Sequence, residues 1–306
     1  GYLGYASVTH PLALGAIGVL LLGVASASFP QLFAHAREEL ARPEYAALDA
    51  PFVMSVLRAA FALAWTVGPG LGALVVQHHG YRGSFLAASA IFGLYWVVSW
   101  ASVPRRPRPA ASAPAASLAH VLTRPVMLAN FAAFALIFAG LSLNLMNLPL
   151  LLTHELGGNE SHIGIAFAIG PIAEMPLMLW FGRLAARGHQ ARIIRLGVLV
   201  GVAYFVALSL ARTPFHVYPL QLLNAAAVAV TMSVAIPHFQ DLLPEQTGVA
   251  TSIYTSSYSC GSLLGYFSFG MLVTGIGHRG IVLLCAALGA LSLLVLLACG
   301  RAQRAG

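Results

Sequence analysis

PRRPRPAASAPAASLAHVLTR, residues 104–124, is the one long polar stretch in an otherwise apolar chain. It places Arg105, Arg106, Arg108 and Arg124 among Pro, Ala and Ser, a composition that no membrane-crossing helix carries. About three apolar segments of membrane length precede it and about six come after it. It therefore reads as a central loop between unequal parts. The expected division is a partial N-terminal helix bundle of three spans at 1–103, a cytoplasmic loop at 104–124 and a six-helix bundle at 125–306.

The composition agrees. Of the 306 residues, 59% are hydrophobic and 8% charged, against roughly 25% charged in a soluble domain. So little charge cannot cover a water-facing surface, and the lipid bilayer is the expected surrounding. The net charge of +7 then carries no implication of nucleic acid. Cys260, Cys285 and Cys299 lie in apolar runs and read as packing residues, not as a disulfide framework.

A bilayer core asks for roughly 20 apolar residues per helix. The expected spans are about 12–34, 52–76, 83–103, 126–152, 162–183, 193–211, 215–239, 249–274 and 280–299. Their apolar runs are continuous, not alternating, which argues against a β-barrel. The fold class is all-α, a polytopic membrane protein of about nine transmembrane helices.

All 16 basic residues are Arg. Arg37, Arg42, the four of the central loop, Arg183, Arg187, Arg192, Arg195, Arg301 and Arg304 fall in one set of alternate loops. Only Arg82, Arg212 and Arg279 fall in the other. The Arg-rich set is expected in the cytoplasm, with the C-terminus.

A weak repeat runs through the chain. Gly68-Pro69-Gly70-Leu71-Gly72 in the second span is echoed by Gly261-Ser262-Leu263-Leu264-Gly265 in the eighth. Gly68, Gly72, Gly261 and Gly265 have the spacing that lets helix backbones approach closely, with Pro69 as a kink. One span before each pair stands a Pro, Pro30 and Pro237. Two related halves are expected, the second with six spans and the first lacking three.

Polar residues inside spans are the functional candidates. Glu174, midway along the fifth span, sits where an acidic residue costs roughly 2.5–3.5 kcal/mol. It is either a proton carrier or a neutral or Arg-paired residue joining two helices. Arg58 is the one Arg within a span. It faces a central cavity or snorkels to the inner interface. Trp65 comes two turns later, as a stacking surface for a sugar ring or as packing. Asn144 and Asn147 share a face of the fourth span, and Gln221 and Asn224 share one on the seventh. Carboxamides suit a neutral polyhydroxylated ligand and equally suit interhelical hydrogen bonds. Tyr254 belongs to a hydroxyl-rich eighth span. No HExxH or paired Cys motif is present, so neither metal nor cofactor is expected.

At these residues the chain resembles a known family. ASFPQLFAHAREE (27–39), VLRAAFALAWTVGPGLG (56–72), NLMNLPLLLTHELGG (144–158), IAEMPLML (172–179), LQLLNA (220–225), HFQDLLPEQTG (238–248) and SIYTSS (252–257) together resemble the bacterial sugar efflux transporters of the major facilitator superfamily. The resemblance implies twelve helices in two six-helix bundles, and export of sugars in exchange for protons. The spans here would be helices four to twelve, with Arg58 and Gly68-Pro69 in helix five and Glu174 in helix eight. The match departs at Ser256 and Ser259, near positions where the family often carries Asn and Arg. Lactose or glucose is therefore not assumed.

The expected function is secondary active, proton-coupled efflux of sugars or related polar metabolites from the bacterial inner membrane. Glu174 would couple to protons. Arg58, Trp65, Asn144, Asn147, Gln221, Asn224 and Tyr254 would contact a sugar or glycoside. The expected partners are this small molecule, protons and the lipid bilayer, with the protein a monomer. The alternatives are a multidrug/proton antiporter of the same superfamily and a polytopic membrane enzyme. The enzyme needs clustered catalytic groups near one interface, and the sequence offers scattered single ones.

Overall fold

The computed structural model describes residues 1–25, 32, 35–36, 39–40, 42–45, 50–102, 124–185 and 187–305. Side chains at 50–52, 54–56, 58–59, 61–62, 65–66, 69, 73, 245, 247 and 301–305 fall outside that description. So does the expected central loop, apart from Arg124. The chain divides into two compact units, Gly1–Ala110 and Ala111–Gly306. Among the described residues there is no β-strand.

The first unit holds α1 (Tyr2–Ser7), α2 (Pro11–Ile17) and α3 (Ala50–Ser102). Pro11 opens α2, where its missing N–H costs nothing. A π-helical turn, Gly18–Leu22, carries α2 on to Ala25. The expected spans 52–76 and 83–103 lie on either side of a break in α3 at Gly80, with φ 66° and ψ −177°. That backbone region is closed to residues with a Cβ, so the break needs glycine. Tyr2 packs on Phe92 and Tyr5 on Phe85, each at 5.4 Å between ring centres, which sets α1 against the second half of α3. Among the described residues of this unit none is buried, and Ile91, Leu94, Trp96 and Trp100 are exposed. A helix apolar all round suits a lipid solvent.

The second unit holds α4 (Pro125–His154), α5 (Glu160–Ala185), α6 (Gln190–Ser209), α7 (Pro214–Ser233), α8 (Ala235–Leu242) and α9 (Thr247–Ala305). The expected span 215–239 is two helices, broken at Val234. Pro237 explains the break: it has no N–H to bond the Ser233 carbonyl, and its ring crowds that oxygen. α9 turns at Gly277, with φ 69° and ψ 176°. Before the turn it runs with α4, Gly261 beside Ala135 and Gly265 beside Ala139. After the turn it runs back, His278 at Asn147, Cys285 at Gly140 and Cys299 at Asn130.

Six described stretches are long and apolar enough to cross a membrane. The last of them, Gly248–Gly300, contains the turn at Gly277. The chain is a multi-pass membrane protein. Its second unit has a core in two parts. One gathers Phe134, Phe138, Phe239 and Tyr254, and the other Leu151, Tyr204, Leu208 and Ile281.

Candidate functional site

Four helices of the second unit bring polar side chains to one place. Asn144 comes from α4, Tyr204 from α6, Gln221 and Asn224 from α7, and Glu174 from α5. The Tyr204 hydroxyl oxygen accepts from Asn144 Nδ2 and from Gln221 Nε2, each at 3.3 Å. Gln221 Oε1 in turn accepts from Asn224 Nδ2 at 3.2 Å. Asn144, Tyr204 and Gln221 are buried, whereas Asn224 and Glu174 are half-buried at the edge of the row.

Gly170 of α5 stands beside the carboxyl. It lies one turn before Glu174, and a Cβ there would stand 3.8 Å from Glu174 Oε1 and 4.0 Å from Gln221 Oε1. The two oxygens thus approach the same small gap from α5 and α7. Asn144 Oδ1 is buried and has no hydrogen-bond partner among the described residues. The arrangement offers uncharged donors and acceptors plus one carboxyl, chemistry that binds hydroxyl groups and exchanges a proton.

The two carboxamides on α4 part company. Asn147 is fully buried, and His278 takes both ends of its amide. Nδ2 donates to the His278 carbonyl at 3.0 Å, and Oδ1 pairs with the ring Nδ1 at 2.9 Å. Since a carboxamide oxygen only accepts, His278 Nδ1 carries the hydrogen. The other ring nitrogen of His278 faces His154 Nδ1 at 3.4 Å. Asn147 thereby ties α4 to the turn of α9.

Tyr254 stands apart from the polar row. Its ring packs among Phe134, Phe138 and Phe239, and its hydroxyl donates to the Thr231 carbonyl at 3.0 Å. It steadies α7 just before the break at Val234. Ser256 and Ser259 are exposed on the unit's surface. Gly261 and Gly265 are contact points. A Cβ on Gly261 would overlap the Ala135 carbonyl oxygen, and one on Gly265 would lie 2.6 Å from that of Ala139. Around Gly68 and Gly72 no atom of the described residues lies within 4 Å of a Cβ position, and the break in α3 falls at Gly80 instead. The side chains of Arg58, Trp65 and Pro69 lie outside the described residues. Among the described residues no three His, Cys, Asp or Glu side chains gather as a metal site.

Sequence reasoning missed Tyr204 and Arg279. Tyr204 is a polar atom in mid-span, the same signal that singled out Glu174. Arg279 bonds Glu155 at 2.9 Å and donates to the carbonyls of Ser209 and Ala211, fastening three helix ends. The Gly197–Gly201 pair on α6 also went unread. A Cβ on Gly197 would come 2.7 Å from Val230 of α7, and the four-residue spacing was its signal.

The family model of the Major Facilitator Superfamily matches residues 1–218 and 131–305. A Deinococcus radiodurans protein assigned as a sugar efflux transporter is 33% identical over 292 residues, covering 94% of this chain and 74% of that protein. Sugar efflux transporter A of Dickeya chrysanthemi is 31% identical over 248 residues, 81% of this chain and 62% of its own length. Sugar efflux transporter A of Escherichia coli is 29% identical over 287 residues, 93% of this chain and 72% of its own length. The chain thus spans between 62% and 74% of the length of these relatives. With a family match over both units and this identity, the chain belongs to the Major Facilitator Superfamily, as a relative of its sugar efflux transporters.

Proposed function

We propose that the protein exports sugars or related polar metabolites across the bacterial inner membrane in exchange for protons, by alternating access. It is a transporter and not an enzyme, as its relatives are. The observation that carries the reading is the row Asn144–Tyr204–Gln221–Asn224 with Glu174 at its edge, uncharged hydrogen-bonding groups beside a single carboxyl inside a membrane bundle. Asn224 and Glu174, being half-buried, are the members that a solute reaches. Glu174 takes up and releases the proton. Arg58 and Trp65, whose side chains lie outside the described residues, remain candidates for contact with the sugar on sequence grounds. Asn147 and Tyr254 serve helix packing.

The division into 1–103, 104–124 and 125–306 belongs to the same proposal. So does the orientation, with the ends near Arg124, Arg183, Arg192 and Arg195 in the cytoplasm together with the C-terminus.

The test uses the whole transporter in inside-out vesicles loaded with a proton gradient. Glu174→Gln should abolish the stimulation of labelled sugar movement by the gradient and leave sugar exchange at equilibrium in place. Unchanged dependence on the gradient removes Glu174 from the coupling.

A further inference from the structure

We infer that Tyr204 is a positioning residue for solute recognition, an inference that rests on the sugar-site reading above. Tyr204 itself never meets the solute. Its side chain is fully buried on α6, in the apolar cluster with Leu151, Phe205, Leu208, Val217 and Ile281. Packing there needs the ring and not the hydroxyl, because a buried hydroxyl is costly unless it is bonded. Phe would fill the same volume. The hydroxyl is therefore explained by what it holds.

It holds two carboxamides on two helices by the same end. Asn144 and Gln221 both present their NH2 groups to the one phenolic oxygen. A carboxamide has a donor end and an acceptor end. With the donor end of Gln221 anchored, its oxygen faces away from α6, toward Asn224 and the gap over Gly170 shared with Glu174. Asn224 spends an N–H on that oxygen, which leaves its own Oδ1 as the free end of the amide. Among the described residues nothing donates to Asn224 Oδ1 or to Asn144 Oδ1. The row is thus poled from Gln221 to Asn224, with the donor end of Gln221 on Tyr204 and a free acceptor at Asn224, while Asn144 Oδ1 is a second free acceptor buried beside Tyr204.

A poled row of acceptors selects for hydroxyl hydrogens. The solute class is one that donates through O–H groups, as a free sugar does. Removing a hydroxyl that meets the row leaves its acceptors unpaired and costs affinity. Without the Tyr204 hydroxyl, Gln221 is free to turn its amide over, and the row presents a mixture of donors and acceptors. Tyr204 sets this selectivity from a distance, through Gln221.

The experiment reconstitutes the whole transporter in liposomes and measures a panel of labelled mono- and disaccharides against concentration, with monodeoxy analogues of the transported sugar as competitors. Tyr204→Phe should raise KM five- to tenfold with the maximal rate within twofold. It should also let deoxy analogues compete as well as the parent sugar, a loss of discrimination that a merely structural role would not produce. A KM within twofold of wild type and intact discrimination, with Asn224→Ala raising KM, overturn the positioning role and leave the sugar site standing. A wild-type protein that moves none of the panel overturns the sugar reading and this inference with it. Should Tyr204→Phe fail to fold, Tyr204→Met removes the same hydroxyl with a flexible apolar side chain in its place and leaves Gln221 and Asn224 intact. The same rise in KM supports the inference, and an unchanged KM overturns it.

Discussion

Two tetrapeptides, Gly80-Tyr81-Arg82-Gly83 and Gly277-His278-Arg279-Gly280, make the same turn in the two units, 197 residues apart. Their first glycines share one backbone conformation, φ 66° and ψ −177° against φ 69° and ψ 176°. The two residues after the glycine differ in their surroundings. His278 is bonded to Asn147 and faces His154, and Arg279 fastens Glu155, Ser209 and Ala211. Tyr81 and Arg82 are exposed, and Arg82 makes no hydrogen bond or ion pair among the described residues. The turn is a local property of glycine, while its anchoring belongs to residues far away in the chain. The parallel reaches the neighbouring helices. Tyr5 meets Phe85 on the second half of α3, as Val202 of α6 meets Gly289 on the second half of α9. In each unit an earlier helix packs on the stretch just after the turn.

The comparison breaks first at the glycine pairs that precede the turns. Gly261→Leu should destabilise the second unit by about 3 kcal/mol or more, since the side chain meets the α4 backbone. Gly72→Leu should cost under about 1 kcal/mol, the scale of a surface change. Unfolding of the purified protein by SDS titration reads both, and equal losses would end the distinction.

The turns themselves should respond alike. Gly80→Ala and Gly277→Ala each place a Cβ in a backbone region that is nearly glycine-only, at about 1–3 kcal/mol. A loss at one position alone would show that the shared conformation has different causes in the two units.

Anchoring should separate them again. Asn147→Ala leaves the His278 carbonyl and ring N–H without their partner, and should cost about 1–3 kcal/mol. Limited proteolysis at the α9 turn should rise with it. The smallest effect falls on the arginines. Arg279→Ala should cost about 1 kcal/mol, discounted because the ion pair is partly solvent-exposed. Arg82→Ala should be silent within about 0.5 kcal/mol. A silent Arg279→Ala would reduce the fastening at 277–280 to the Asn147 contacts.

Much of the helical plan was legible. The expected spans 126–152 and 162–183 correspond to Pro125–His154 and Glu160–Ala185, because a bilayer admits a continuous apolar run only as a helix that bonds its own backbone. The joints were less legible. Residues 215–239 read as one span because Pro237 lies close to its end, where a proline usually marks a terminus and not a break. At the site, Glu174, Asn144, Gln221 and Asn224 stood out as polar residues in apolar surroundings. Asn144 and Asn147, three residues apart, share a face, yet one meets Tyr204 and the other His278. Helical phase tells which way a side chain points and not which neighbour stands there.

The sequence by itself determined that this chain lies in the membrane, roughly where its long apolar helices run and which residues are too polar for their place. These are matters of local chemistry, the transfer of each segment into lipid. Only the tertiary structure decided which polar residues meet in one row and which fasten one helix to another. That choice depends on partners from four helices, Tyr204 above all, whose hydroxyl gains its meaning only from the two carboxamides folded against it.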